Sequence, residues 1–188
     1  MKVYSKNNLL QKSTDMKTTW LNIVNLSSVI LELNIPDATY FRMKVLCEDI
    51  SELSGQIFNQ QKMIDILWSQ FIDQVKRVPD FKTVHDMLIE REDKRMVVKD
   101  EIVQNKNTFM FFETTHKIAA KTNKKIMHYR MNRKQALRGE IMLADIAEIK
   151  PDHQLTLERV LEIIFCDFIE KYKMGESEQV VEQIIAII

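Results

Sequence analysis

Lys125-Ile126-Met127-His128-Tyr129-Arg130-Met131-Asn132 is the stretch on which the fold of the C-terminal third turns. Read as extended chain it alternates, with Met127, Tyr129 and Met131 on one face and Ile126, His128, Arg130 and Asn132 on the other. Read as helix it becomes the middle of one continuous element from Thr114 to Lys150. The residues are compatible with both geometries.

The stretch lies within a longer basic run. Lys121–Arg138 holds Lys121, Lys124, Lys125, Arg130, Arg133, Lys134 and Arg138 and no Asp or Glu. Residues 1–120 carry 16 basic and 16 acidic side chains, whereas residues 139–188 carry four basic and eleven acidic ones. The neutral total therefore conceals a cationic segment followed by an acidic one. Such a run is either a phosphate-binding patch, which releases counterions from nucleic acid, or a solvated helix face, or the pairing partner of the acidic region in this chain or a second copy.

On the C-terminal side, Gln135–Lys150 reads as a helix burying Met142, Leu143, Ile146 and Ile149, stopped at Lys150-Pro151. Thr156 is a good N-cap for a second helix with the broad apolar stripe Leu157, Val160, Leu161, Ile164, Phe165, Phe168 and Tyr172. Gly175 stands where the left-handed cap is favoured. The apolar end, Glu178–Ile188, requires burial in this chain or in a partner.

On the N-terminal side, residues 1–13 are polar and expected to be ill-ordered, and a helix capped by Thr14 or Asp15 is expected to run to Asn34, carrying Trp20, Ile23, Val24, Val29, Ile30 and Leu33. Beyond Pro36, Leu46, Ile50, Leu53, Ile57, Gln60, Ile64, Leu67 and Phe71 follow steps of four and three, as a coiled-coil seam or the inner face of a bundle would. Gly55 allows a break into two helices. Asp80 caps a further helix with Phe81, Val84, Met87 and Leu88 inward, and Glu90–Lys99 reads as a solvated helix face. Thr108–Phe112 is the most apolar short run, helix or strand.

With 188 residues, 45% hydrophobic and 29% charged, the chain has the composition of a globular protein of one or two domains. Three Gly and three Pro predict mostly helix. Cys47 and Cys166 sit in apolar helical patterns as buried thiols, which makes a reducing cytoplasm the expected location. No apolar run reaches the about 18 residues of a membrane span. Only Gly55, Gly139 and Gly175 exist to build a phosphate loop, and His85, His116, His128 and His153 form no metal-ligand spacing with the cysteines. No catalytic residue, metal or cofactor is therefore expected.

The order basic segment, helix, Pro-containing turn, helix over Lys124–Met174 resembles the ribbon–helix–helix DNA-binding family. In that family two chains pair their strands into a ribbon that enters the major groove. The resemblance implies His128, Arg130 and Asn132 on the outward face, with Met127, Tyr129 and Met131 closing the core. It also implies a phosphate held at Thr156. The turn Pro151–Thr156 keeps the Thr of the family but lacks its Gly.

The fold expected is mainly α: an N-terminal helical bundle over 1–118, able to oligomerise, then a short basic segment, β or helical, and a helix pair over 119–188. The function expected is non-enzymatic nucleic-acid binding in a regulatory or accessory role. It would be carried by Lys121, Lys124, Lys125, His128, Arg130, Asn132, Arg133, Lys134, Arg138 and Thr156 in a homodimer. The alternative is a helical protein-interaction or ligand-sensing module that uses the 46–71 seam or the apolar C-terminus.

Overall fold

The computed structural model describes residues 2–14, 28–93, 97–103, 112–118, 123–175, 181–182 and 184–185. Trp20, Ile23, Val24, Lys121 and the run 108–111 lie outside them, as does most of the apolar C-terminus. In chain order the elements are α1 (Leu9–Thr14), β1 (Ser28–Pro36), α2 (Asp37–Ser54), α3 (Gln60–Val75), α4 (Phe81–Asp93), β2 (Val97–Val103), β3 (Phe112–Ile118), β4 (Lys124–Asn132), α5 (Arg133–Ile149) and α6 (Leu157–Lys173). The protein is mainly helical, with two small antiparallel sheets.

The 125–132 stretch is a strand. Its partner is β1, and the register runs from Ser28 opposite Asn132 to Pro36 opposite Lys124. In β1 the side chains of Val29, Leu31, Leu33 and Ile35 are buried, while Ile30 and Asn34 are exposed. This alternation overturns the expected helix over residues 28–34, its earlier part lying outside the described residues: Val29, Ile30 and Leu33 suit helical spacing, but a period of two places four apolar side chains on one face instead. The continuous helix from Thr114 to Lys150 is likewise replaced, by β3, β4 and α5. Val97–Val103 pairs with Phe112–Ile118 as a second two-stranded sheet, so of the residues expected as a solvated helix face, 90–93 end α4 and 97–99 begin β2, with 94–96 outside the described residues.

Each strand of the β1–β4 ribbon runs straight into a helix pair. The half made of β1, α2 and α3 has strand and helices of 9, 18 and 16 residues; the half made of β4, α5 and α6 has 9, 17 and 17. The long seam is broken at Gly55, which takes φ 67° at the end of α2, a left-handed conformation open to glycine at little cost. Asn59 then caps α3, its side chain accepting a hydrogen bond from the Lys62 amide at 3.0 Å. Thr156 does the same for α6 through the Arg159 amide at 3.2 Å. Seam residues Leu46, Ile50, Ile64, Leu67 and Phe71 are buried inside this chain, and Leu53 and Ile57 are exposed.

Helix α6 is the centre of the core. Leu157, Val160, Leu161, Ile163, Ile164, Phe165, Cys166, Phe168 and Ile169 are all buried, and the helix packs on β1, α2, α3, α4 and α5. Equivalent positions of α3 (Met63, Ile64, Leu67, Trp68 and Phe71) are buried as well. Gly139 lets α5 close on these two helices: a Cβ there would stand 2.5 Å from Leu157 Cδ1 and 3.0 Å from Trp68 Cη2. One hydrophobic cluster takes in side chains from Tyr4 to Ile184, so the boundary expected between residues 118 and 119 is crossed by both the ribbon and the core.

Two local expectations are corrected. Residues 2–11 are packed rather than ill-ordered: Tyr4, Ser5 and Leu9 are buried, and the buried Glu140 accepts hydrogen bonds from Ser5 Oγ and from the Leu9 and Leu10 amides. Ile149, expected in the core, is 47% exposed at the end of α5.

Candidate nucleic-acid interface

The ribbon has one face in the core and one facing out. Met127, Tyr129 and Met131 are buried, as their alternation requires, and Lys124, Ile126, His128, Arg130 and Asn132 are exposed. Across the outward face Arg130 lies opposite Ile30, His128 opposite Glu32, and Ile126 opposite Asn34. The β4 side is therefore cationic and polar, and the β1 side is apolar, amide and acid.

Side chains from the helices lock the ribbon edges. Gln61 Nε2 donates to the Arg130 carbonyl at 2.7 Å while Gln61 Oε1 accepts from the Arg130 amide at 3.1 Å. The same amide on the other strand, that of Asn34, donates to Glu162 Oε1 at 2.7 Å. Each contact crosses between halves, α3 to β4 and α6 to β1. Tyr129 adds a third tie, its hydroxyl donating to Asp65 Oδ1 at 2.6 Å. Burial, and then the Asp65 carboxylate, push the Tyr129 phenol well above its ordinary value, so it stays a protonated donor.

The cations flank this face. Lys124 and Arg130 stand on β4, while Arg133, Lys134 and Arg138 follow on α5 and are half-buried to exposed. Lys125, on the inward parity of its strand, is exposed; its ammonium lies over the Tyr40 ring, 4.4 Å from the centroid, and 5.2 Å from that of Phe41. None of these six makes an ion pair with a described residue. Four acids of the 139–188 region have their partners elsewhere: Glu158 on the Lys6 amide, Glu162 on Arg159, Asp167 on Arg91 and Lys171, Glu170 on Lys173. Glu32, the one acid on the outward face, is paired with Lys6, whose hydrogen bond holds the carboxyl below its ordinary range.

Thr156 stands apart from this set. It lines a cleft of about 500 Å³ with Glu32, Glu92, Glu158, Arg159 and Glu162. The amide of Leu157 already donates to the Tyr4 carbonyl at 2.7 Å, and the buried Glu158 carboxylate faces the same end of the helix. The Tyr4–Lys6 segment occupies the place a phosphate would need, and the acids oppose one. Asn132 has a local task besides: its Oδ1 caps α5 by accepting from the Lys134 amide at 2.9 Å, in a residue that is otherwise exposed.

The residues of the β1 strand are the part of this surface that the sequence pattern did not single out. The signal available was positional: Ile30 and Ile126 are each third in their strands, and Arg42 and Arg138 each sixth in the following helices, all four exposed. Among the described residues no group of three or more His, Cys, Asp or Glu side chains is placed to hold a metal ion, and no helix is long and apolar enough to cross a membrane. Both cysteines are buried, and burial raises the Cys47 thiol to about 12, far from a reactive thiolate. No family model, no curated protein and no solved structure matches the chain.

Proposed function

We propose that this protein binds duplex DNA, in a regulatory or accessory role, by laying the outward face of the β1–β4 ribbon in the major groove in the manner of the ribbon–helix–helix family. The observation that carries this reading is the un-neutralised cationic set. Lys124, Arg130, Arg133, Lys134 and Arg138 share one strand and the helix that follows it, without carboxylate partners among the described residues. Unpaired cations beside a two-stranded ribbon meet both needs of such a complex. The charges hold phosphates, and the ribbon fits a groove about 12 Å wide. Arg130 and His128 are the base-reading side chains of this reading, and Asn132 joins them through its side-chain amide.

The test is a fluorescence-anisotropy titration of the full chain against random-sequence duplex DNA at low and at moderate salt. The reading expects binding whose affinity falls steeply with salt. It is overturned if DNA is not bound at low salt, or if binding survives joint replacement of Lys124, Lys125, Arg130 and Arg133 by Ala.

A protein-interaction module remains the second reading, favoured by one observation. Phe41 and Val45 stand one turn apart on α2, 54% and 55% exposed. Most of the 46–71 seam is consumed by this chain's own core, but Leu53 and Ile57 of it remain exposed, so a partner would meet these two together with Phe41 and Val45 on the described surface.

A further inference from the structure

The two strands of the ribbon belong to one chain, and their outward residues are not alike. In a ribbon assembled from two identical chains, every outward residue appears twice about a two-fold axis, and the DNA site must repeat accordingly. Here β4 pairs with β1, centred on Glu32 opposite His128. Reading each strand from its first residue, the outward positions are Ser28, Ile30, Glu32, Asn34 and Pro36 on β1 and Lys124, Ile126, His128, Arg130 and Asn132 on β4. Only the isoleucines match, at 56% and 58% exposed.

We propose that one chain, without a second copy, recognises a non-palindromic duplex site. This rests on the DNA-binding reading above. The half-site under β4 contains guanine, the base whose O6 and N7 accept the two-pronged hydrogen bond of an arginine, here Arg130. The half-site under β1 lacks that guanine, because Asn34 takes the arginine's position and Glu32 the histidine's. Asn34 Nδ2 donates to Glu162 Oε1 at 3.4 Å, which leaves its Oδ1 and second amide hydrogen for an adenine edge, and the Glu32 carboxylate, tied on one side by Lys6, accepts only from a base edge that donates, such as the cytosine amine. Ile30 and Ile126 supply matching apolar contacts to thymine methyl groups in both halves. The helices hold this asymmetry fixed. Gln61 positions the backbone of Arg130 and Glu162 that of Asn34, so the strands cannot exchange roles by sliding.

The test is selection of bound sequences from a randomised duplex library with the full chain at low salt, followed by the mass of the complex on the recovered site. The expected result is a motif without inverted symmetry, one chain per duplex, and at least a tenfold loss when the β1 half-site is replaced by an inverted copy of the β4 half-site. The double variant Glu32→His with Asn34→Arg, both on the outward face, should shift the recovered motif towards an inverted repeat. A palindromic motif, two chains per site, or enrichment without any motif overturns this inference and leaves DNA binding standing. A library that is not retained at all overturns both.

Discussion

Gln61 grips Arg130 by its main chain, donating to the carbonyl at 2.7 Å and accepting from the amide at 3.1 Å. The residue proposed to read a base is thus set by a side chain from the other half of the fold. Gln61→Ala should leave the fold intact, because the contact is exposed and worth about 0.5–1.5 kcal/mol per hydrogen bond. It should weaken binding to a selected site severalfold while changing binding to random duplex little. Competition anisotropy with the two DNAs measures the difference.

Arg130 and Lys124 separate reading from attraction. Arg130→Ala should cost about 1–3 kcal/mol on the selected site and relax discrimination at one base position. Lys124→Ala should weaken all duplexes alike and reduce the salt slope by about 1. Salt titrations of both variants on selected and random DNA check this, and equal effects from both would remove the base-reading role from Arg130.

Phe165 is 1% exposed in the helix that packs on β1, α2, α3, α4 and α5. Phe165→Ala should lower stability by about 3–5 kcal/mol, from lost burial and the cavity left behind. Denaturant unfolding measures it, and an unchanged midpoint would mean that α6 is not packed as described.

Gly139 is held small by its neighbours. A methyl group there must displace the buried Leu157 and the Trp68 ring, at a cost of about 1–3 kcal/mol that outweighs the gain in helix propensity of about 1 kcal/mol. Gly139→Ala should therefore lower the melting temperature, although the same change at an ordinary helical site raises it.

His153 makes the fold sensitive to mild acid. It is buried beside Lys2, Tyr4 and His85, with Nε2 at 3.2 Å from the Leu143 carbonyl and Nδ1 accepting from the Leu155 amide at 3.1 Å. Burial, and then the Lys2 charge, lower its pKa below the ordinary 6.5. The unfolded chain therefore takes up the proton first. Stability is full above pH 6.5 and falls as the pH drops from there towards the folded value, by at most about 1.4 kcal/mol per pH unit. His153→Gln should flatten that slope in thermal melts between about pH 7 and pH 5, a window above the range where ordinary carboxylates titrate.

What the sequence revealed depended on how far the cause of each element reached. The helix pair behind Asn132 was legible, because a Thr cap and a Pro stop are written within a few residues, whereas Lys124–Asn132 was legible only as strand or helix, its alternation suiting the one and its neighbours the other. Ser28–Pro36 was not, since Val29, Ile30 and Leu33 also suit a helix and the strand owes its geometry to pairing with a segment far along the chain. The same distance hid the outward face of the ribbon. The cations were plain in the composition, but their partners on the outward face, Ile30, Glu32 and Asn34, become visible only once the register is known.

Because β4 finds its partner in β1, assembling the ribbon is a folding step rather than an encounter between molecules. A paired-chain ribbon comes apart on dilution, and its stability cannot be separated from protomer concentration. This one persists at any abundance at which the chain itself is folded. On the single-chain DNA-binding reading proposed above, a cell holding only a few copies would lose no ribbon to dissociation, and occupancy of a target well below saturation would rise in simple proportion to copy number, with no threshold.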